Sequence, residues 1–431
     1  MININVNLIK KEFFYIKKSD YPTTIKLIYF LSIFVPVFAI TGPFLADLSV
    51  CIIGILFIIF CVNKKGKNLL EYKKYVIFFL ILYLILILSA INSTYTQQSI
   101  KIFFYIRFFI YFLAIVYLIN ELKNYRYIFF EVLKIIFYVL FLDSAFQFFF
   151  HFNILGISPI KNFVTDSNGK TMVSIILTSF FGNEKILGSY LVRLFPLFIY
   201  LFFFVKKKTI FIDFAYISII ASALILLTIL SHERITVLYS FFIFLFLLLF
   251  FVYFYKKKKY IFFIFLTLLP LCAFIFNINN SNQKIYHTYQ QIRPDNSFVF
   301  FSTTHAKYAI SSIEIFKKNI LFGSGPKTFL VSCENSGFSW EKDECNIHPH
   351  NIFFQILSEL GLLGIAIYFY LLFIFGKLFT SYFKEKNKKI FLLISIFMFL
   401  NPFFPAGNLF NNWFNIVNWI SIPFIFAKRN D

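Results

Sequence analysis

The chain consists of long apolar runs separated by short polar connections. A helix needs about 20 mainly apolar residues to cross a hydrocarbon core of roughly 30 Å, and roughly twelve runs approach that length. We predict spans near residues 25–41, 44–62, 75–91, 102–119, 127–150, 186–205, 210–230, 235–255, 260–277, 351–376, 390–404 and 413–427. A far more polar segment, residues 278–350, separates the ninth run from the tenth. The pattern predicts an all-α polytopic membrane protein, with one integral membrane domain over residues 1–431 and one large loop.

The composition excludes the other broad classes of protein. Apolar residue types make up 59% of the 431 residues, charged types make up only 14%, and the mean hydropathy is +0.77. A soluble enzyme, a disordered chain and a fibrous protein are therefore ruled out.

Basic residues are distributed unevenly between the two ends of the predicted spans. The formal net charge is +21, from 41 Lys and Arg against 20 Asp and Glu. Basic residues fill the N-terminal arm, the C-terminus and alternate connections, at 64–74, 123–126, 206–208, 256–259 and 377–389. By the positive-inside rule, both termini are expected in the cytoplasm and the 278–350 loop outside. This topology explains the charge without a nucleic-acid partner, and the polar N-terminal arm shows no cleavable signal peptide.

Two of the five cysteines, Cys333 and Cys345, lie twelve positions apart in the outer loop. A periplasmic compartment permits disulfides, so we expect a bond between them, with two free thiols as the alternative.

A polar block precedes and enters the tenth predicted span. In the sequence Asn-Ile-His-Pro-His-Asn at 346–351, Pro349 restricts its neighbours, so a helix is expected to start at residue 350 or 351. Asn351, Gln355 and Glu359 then recur every four positions as a polar stripe. A carboxylate at that depth needs a partner or a water-filled cavity, so the stripe marks a candidate site. A helix cap with interhelical hydrogen bonds is the structural alternative.

Two short outer connections concentrate charge. In Ser-His-Glu-Arg at 231–234, Arg234 could meet an anion at the membrane surface or extend to lipid headgroups. Residues 181–191 contain two glycines and lead into a span that has Arg193 just inside it. Substrate contact and an ion pair with a neighbouring helix both stay open for Arg193.

Within the outer loop, Ala309, Ile313, Phe316 and Ile320 are spaced like the apolar face of a helix. The Gly-Ser-Gly sequence that follows is weak evidence of phosphate binding, and no strand precedes it, so a Rossmann fold is rejected. The chain has no P-loop lysine motif, no His-Glu-x-x-His, no Cys-x-x-Cys and no Asp-x-Asp. Arginine and histidine instead suggest a site for a phosphorylated substrate that uses no metal and no other cofactor.

Four of these segments occur in a fixed order along the chain. They are Phe-Gly-Asn through Gly-Ser-Tyr-Leu at 181–191, Ser-x-x-Arg at 231–234, Phe-Gly-x-Gly at 322–325, and His-Asn, nine residues, then Gly-x-x-Gly at 350–364. In this order they resemble the signature segments of bacterial O-antigen ligases and the related O-antigen polymerases. The resemblance covers about residues 172–365, and the cysteine pair resembles one subgroup.

The resemblance implies glycosyl transfer on a fold related to the GT-C glycosyltransferases. The donor would be a glycan on undecaprenyl pyrophosphate, and the acceptor would be lipid A–core or a growing glycan, at the periplasmic face of the bacterial inner membrane in lipopolysaccharide biosynthesis. Arg234 would hold the pyrophosphate, and His350 or its rival His348 would deprotonate the acceptor hydroxyl. Asn351 or Glu359 would orient the base. In-line attack would invert the anomeric centre without a metal.

The chain departs from the family pattern at two positions. His305 stands where an arginine is common, and Glu233 stands where a small residue is usual. A second anion-binding group is therefore expected among Arg193, Arg293 and protonated His305. Asn183 of the Phe-Gly-Asn segment joins these substrate-binding candidates.

Three functions stay open at this point: O-antigen ligase, which we favour, polymerase, which shares the motifs, and a small-anion transporter of the bicarbonate type. A transporter is expected to hold its polar groups near the middle of the membrane and often contains inverted repeats. Here the polar groups gather at the outer side and no repeat is visible, which favours an enzyme.

Overall fold

The computed structural model describes residues 6–63, 72–165, 171–206, 211–255, 303–335 and 345–428. The helices in these residues are α1 (Val6–Lys18), α2 (Thr23–Phe38), α3 (Pro43–Asn63), α4 (Lys73–Ile91), α5 (Thr96–Ser99), α6 (Ile106–Glu121), α7 (Tyr125–Phe150), α8 (Leu187–Val205), α9 (Phe211–Leu230), α10 (Arg234–Tyr255), α11 (Thr303–Lys318), α12 (Phe329–Glu334), α13 (Ile352–Lys384), α14 (Ile390–Leu400) and α15 (Asn412–Phe426). Short 3-10 turns occupy Ile100–Tyr105 and Ser179–Phe181. Strands β1 (Ile160–Thr165) and β2 (Thr171–Ile176) form an antiparallel hairpin.

Eight helices of the described part are long and apolar enough to cross a bilayer. They cover Thr23–Ile40, Pro43–Asn63, Lys73–Ile91, Thr96–Glu121, Leu187–Val205, Ile212–Leu230, Arg234–Tyr253 and Ile352–Lys384. Each coincides with an expected span, which confirms the all-α polytopic membrane class.

The remaining four expected spans differ from these eight. Helix α7 is 26 residues long but contains Arg126, Glu131, Lys134 and Asp143. The side chains of Glu131 and Lys134 form a buried ion pair of 2.8 Å, which lowers the cost of their charges. Helices α14 and α15 have only 11 and 15 residues. The expected span at 260–277 lies outside the described residues.

The described residues divide into two compact units, and the first contains α8, α9, α10, the hairpin and most of α7. Helix α8 is buried on all sides from residue 190 to residue 203, as a helix that is apolar all round should be. Its Phe195 and Phe198 pack on Phe137 of α7, with ring centroids 6.0 and 5.0 Å apart.

A buried polar network at the end of α7 fixes the chain that precedes α8. The Oε1 atom of Gln147 accepts from the backbone N–H groups of Thr178 and Ser179 at 3.0 and 2.9 Å. Asp143 accepts from the hydroxyl of Ser179 and, at 2.9 Å, from the backbone N–H of Ile154. These hydrogen bonds satisfy two fully buried side chains and position the Phe-Gly-Asn segment that follows.

The second unit contains α2 to α6, α11 to α13 and α15. An aromatic core joins α4, α6 and α15: the ring centroid of Phe79 lies 4.7 Å from Phe109 and 4.9 Å from Phe112, and that of Trp419 lies 5.7 Å from Phe109.

Helix α11 is the expected loop helix, but it buries a different face from the one that its apolar spacing suggests. Tyr308 and Ile315 are buried, whereas Ile313 is 39% exposed and Ile320 lies beyond the end of the helix, 56% exposed. The buried face packs against Phe329 of α12 and the neighbouring cysteine pair. The expected apolar stripe is therefore wrong for Ile313 and Ile320, although its Ala309 is buried, because packing against α12 decides which face of α11 is buried.

Helix α13 is interrupted at Gly361, whose φ of 64° and ψ of −152° are not helical. The interruption lets the loop around Gly323 approach the helix backbone to backbone, and the N–H of Leu362 donates to the carbonyl oxygen of Ile320 at 2.8 Å. A Cβ on Gly323 would lie 2.4 Å from the carbonyl carbon of Glu359, and a Cβ on Gly361 would lie 2.5 Å from the nitrogen of Gly323. Both positions therefore require glycine.

Candidate active site

The head of α13 is held by its own cap and by the chain that follows α14. Asn351 is the N-cap residue: its Oδ1 accepts from the N–H of Phe354 at 3.2 Å, and its Nδ2 donates to the carbonyl oxygen of Pro402 at 2.8 Å. His350 has left-handed backbone with φ 54°, and its carbonyl oxygen accepts from the N–H of Ala406 at 2.8 Å. A left-handed histidine is uncommon and persists only where surrounding contacts impose it. These contacts fix the imidazole of His350 at the start of the helix.

Three of the six histidines of the chain lie together at this position. The ring centroid of His350 lies 4.2 Å from that of His348, 5.8 Å from that of His305 and 5.7 Å from that of Tyr308. The structure thus brings three of the expected residues into one cluster, although His305 comes from α11. Among the described residues, no group of three or more His, Cys, Asp or Glu side chains is arranged to hold a metal ion.

Neighbouring groups assign the proton on two of these rings. The Oδ1 of Asn346 accepts from the N–H of Ile347 at 2.6 Å, so its Nδ2 faces the Nε2 of His350, 3.0 Å away. An amide NH2 only donates, so Nε2 of His350 accepts and its proton lies on Nδ1. The Nε2 of His348 lies 3.3 Å from the carbonyl oxygen of Ala406, which only accepts, so that nitrogen carries the proton.

Burial lowers the pKa of all three imidazoles. It lowers the pKa of His348 to about 4, with the charge of His350 as a second cause. Burial followed by the charge of His305 lowers the pKa of His350, and burial alone lowers the pKa of His305. Each ring is therefore neutral at pH 7, which is the form that can accept a proton.

Two residues of the polar stripe of α13, Gln355 and Glu359, form a hydrogen-bonded chain below the cluster. The Nε2 of Gln355 donates to Glu359 at 3.0 Å and to Asn408 at 2.8 Å, and its Oε1 accepts from the N–H of Leu409 at 2.9 Å. The other carboxylate oxygen of Glu359 accepts from the N–H of Phe329, the first residue of α12, at 3.0 Å. Because Glu359 is fully buried with both oxygens engaged, its contacts favour a positioning role over contact with substrate.

A disulfide ties the segment ahead of the cluster to α12. It joins Cys333 and Cys345, the pair expected from the sequence, with Cα atoms 5.9 Å apart. Cys333 is buried beside Tyr308 and Ile315. The bond anchors the chain at the residue before Asn346.

Three serines that the sequence did not single out hold the Gly-Ser-Gly turn. The Oγ atoms of Ser89, Ser93 and Ser99 lie 2.7, 2.5 and 3.0 Å from the carbonyl oxygens of residues 322, 324 and 326. A seryl hydroxyl in an apolar helix often bonds its own helix, so the sequence offered no signal for these long-range contacts. The glycine motif acts here as a packing element of α13.

The other expected residues that the structure describes lie in the first unit. There the carboxylate of Glu233, which precedes α10, lies against the N-terminus of α8. Both of its carboxylate oxygens lie 3.1 Å from the backbone nitrogen of Ser189. Gly188 makes room for it, since a Cβ there would lie 2.9 Å from Oε1 of Glu233. Burial raises the pKa of Glu233 to about 7, opposed by the Ser189 N–H and by the charge of Arg193. Buried Arg193 donates to the carbonyl oxygen of Ser189 at 3.1 Å, so this region is braced internally.

Arg234 is exposed and is the first residue of α10. A guanidinium at a helix N-terminus adds to the positive end of the helix dipole, so both favour an anion there. An apolar groove runs along the same helix, lined by Leu238, Phe241, Phe242, Phe244, Leu245 and Leu248. Arg234 lies on the same face of α10 as most of the groove, because one helix face carries positions 234, 238, 241, 245 and 248. Asn183 is exposed in the chain before α8, and Arg293 lies outside the described residues.

Residues 219–369 match the family model described as O-Antigen ligase, and no curated protein matches the chain. The match supports the O-antigen ligase superfamily, which the sequence motifs resemble, and with it a glycan transfer of the ligase or polymerase type. It includes Arg234 and the histidine cluster. It begins after Asn183 and Arg193.

Proposed function

Since the chain carries an O-antigen ligase domain over residues 219–369, we propose that it transfers a glycan from undecaprenyl pyrophosphate to an acceptor sugar hydroxyl. The acceptor we propose is lipid A–core, which makes the protein an O-antigen ligase. The observation that carries the proposal is the neutral imidazole of His350, held at the head of α13 beside two further imidazoles.

His350 is the proposed general base. Its Nε2 lone pair takes the proton of the acceptor hydroxyl while the hydroxyl oxygen attacks the anomeric carbon of the donor glycan. The new carbon–oxygen bond forms as the bond to pyrophosphate breaks, and in-line attack inverts the anomeric centre. At rest this lone pair accepts from Asn346, so the acceptor hydroxyl takes the place of that amide. A positioned base of this kind contributes about 10² to 10⁴ in rate.

Arg234 and the groove on α10 are the proposed donor site. Pyrophosphate is already a competent leaving group once its negative charge is held, and a guanidinium binds two of its oxygens at once. The apolar groove that continues along the same helix suits the polyprenyl chain, which is hydrocarbon throughout. One helix would thus provide for both the charged and the apolar part of the donor.

The remaining expected residues have supporting roles in this proposal. His305 helps to keep the base neutral, because burial followed by the charge of His305 lowers the pKa of His350. His348, whose ring centroid lies 4.2 Å from that of His350, helps to orient the base. Asn351 and Glu359 position the head of α13. The internal contacts of Arg193 suit a brace for α8, and Asn183 is exposed where a donor sugar could reach it.

The topology that we propose has both termini in the cytoplasm and the histidine cluster in the periplasm of the inner membrane, as the distribution of basic residues requires. Reporter fusions after residues 208 and 389 should report cytoplasm, and a fusion at residue 336 should report periplasm. A cytoplasmic signal from residue 336 would contradict both the topology and the mechanism.

The direct test is glycan transfer by purified protein from an undecaprenyl-pyrophosphate donor, with and without EDTA. His350→Asn removes the base but suits the left-handed backbone, because asparagine tolerates that conformation. We expect it to insert normally and to lose about 10² to 10⁴ of the transfer rate. His151→Asn is the matched control, because His151 is an exposed histidine of the same conformation, with φ 63°.

The same assay separates the alternatives. Transfer to lipid A–core identifies a ligase, whereas elongation of the carrier-linked glycan identifies a polymerase. Normal transfer by His350→Asn would remove the proposed base, and loss of transfer in EDTA would replace the metal-independent mechanism.

A further inference from the structure

Lys327 ends the Gly-Ser-Gly turn in an unusual backbone conformation. Its φ is 65°, in the left-handed region that lysine rarely adopts. The turn is fixed on both sides, because the carbonyl oxygen of Pro326 accepts from Ser99 at 3.0 Å and the hydroxyls of Ser324 and Thr328 lie 2.7 Å apart. The position of Lys327 is therefore imposed by the fold.

The ammonium of Lys327 forms no hydrogen bond or ion pair with any residue that the structure describes. The contrast with Arg107 in the same unit is clear: its guanidinium bonds Asp47 at 2.7 Å and Asn412 at 2.9 Å. Lys327 is half-buried, and it lies close enough to Arg107 and exposed Lys101 to feel their charges. Burial, followed by these two positive charges, lowers the pKa of Lys327.

Holding a desolvated cation among other cations is unfavourable unless an anion joins them. Neither carboxylate within range supplies that anion by contact. Asp47 is engaged by Arg107, and Glu359 by Gln355 and Phe329. A phosphate group would bring one or two negative charges and several acceptor oxygens to this position.

We propose that Lys327, assisted by Lys101, binds a phosphate group of a substrate. The inference rests on the proposed function, since it supposes a phosphorylated substrate at the outer surface of the membrane. Two sources share this chemistry: the pyrophosphate of the lipid-linked donor and the phosphates of the lipid A–core acceptor. Lys327 and Lys101 would hold that group in the second unit, whose histidine cluster supplies the proposed base.

The test is equilibrium binding to purified full-length protein of inorganic pyrophosphate, undecaprenyl pyrophosphate, and lipid A–core before and after phosphatase treatment. Lys327→Gln keeps the length of the side chain and removes its charge. Lys317→Gln is the matched control, because Lys317 is exposed on α11 and already paired with Glu314 at 2.6 Å. Losing one charge-assisted contact should weaken binding about ten- to a hundredfold.

The source of the phosphate follows from which affinity falls. A fall for both pyrophosphate probes assigns the donor, and a fall for untreated lipid A–core alone assigns the acceptor. Unchanged affinity of Lys327→Gln for every probe overturns the inference, even if glycan transfer proceeds normally.

The binding measurement is independent of the proposed function, because binding needs no turnover. A loss of binding in a protein without transferase activity would support the site and contradict the proposed function. Lys327→Asn, which suits the left-handed backbone, should lose binding equally and guards against a misfolded glutamine variant.

Discussion

Replacing Asn346 with aspartate should raise the pKa of His350 and move the acid limb of glycan transfer to higher pH. The amide nitrogen of Asn346 lies 3.0 Å from the Nε2 of His350, so a carboxylate there would adjoin the ring directly. A carboxylate only accepts hydrogen bonds, so it stabilises the protonated imidazole, whereas the amide stabilises the neutral one. An opposite charge at this range shifts a pKa by about 1 to 3 units, and each unit corresponds to about 1.4 kcal/mol.

The direction follows from the role of the ring. A general base works only when neutral, so activity is lost as the pH falls through the pKa of His350. In the native protein burial and His305 lower that pKa, which keeps the base neutral into mildly acidic solution. The carboxylate of the Asn346→Asp variant would oppose both effects, so the loss should begin at a pH about 1 to 3 units higher.

The assay combines the pH profile of kcat/KM for the acceptor with the pH dependence of diethyl pyrocarbonate modification of His350, read by mass spectrometry. The reagent attacks the neutral ring, so it reports the pKa of His350 without needing turnover. Asn346→Leu is the control, because it has a similar shape and no charge. If the aspartate and leucine variants titrate at the same pH, the hydrogen bond between Asn346 and His350 is not what sets the protonation of the base.

Three further substitutions test other parts of the structure. Arg234→Lys should transfer glycan more slowly than wild type, because an ammonium does not replace a two-point guanidinium contact; equal rates would make Arg234 a lipid-headgroup anchor. Cys345→Ser should lower stability by roughly 3 kcal/mol in the chain-entropy model, measured by thermal unfolding, and alkylation of both thiols in unreduced native protein would refute the bond. Gly323→Ala should destabilise by more than the roughly 1 to 3 kcal/mol of left-handed strain alone, because its Cβ would meet the backbone of Glu359 at 2.4 Å. Gly156→Ala supplies that strain without a clash, since φ is 80° and nothing lies within 4 Å, so equal losses would contradict the close contact.

Local signals predicted the start of α13 well. Pro349 and Asn351 are close in sequence, and a cap depends on neighbours only, so the helix begins where the sequence suggests. The eight spans were predictable for a related reason. A sufficiently long apolar helix is stable in lipid whatever its tertiary contacts, because it satisfies its own backbone hydrogen bonds.

Long-range partners could not be predicted in the same way. The stripe residue Glu359 meets the N–H of Phe329 thirty positions earlier, a contact that no periodicity encodes. The inner face of α11 was missed because its isoleucines are spread around the helix, and packing against Phe329 decides which of them is buried. The left-handed conformation of His350 also depends on a distant group, the N–H of Ala406.

The interruption at Gly361 makes α13 the anchor of the Gly-Ser-Gly loop. Before it, the carbonyl oxygens of Ser358 and Glu359 accept from the N–H groups of Ser324 and Gly325 at 2.9 and 3.0 Å. After it, the N–H of Leu362 donates to the carbonyl oxygen of Ile320 at 2.8 Å. The His-Asn half of the signature therefore concerns chemistry and the Gly-x-x-Gly half concerns anchoring, so a side chain at Gly361 should displace the loop, whereas a substitution of His350 should leave it in place.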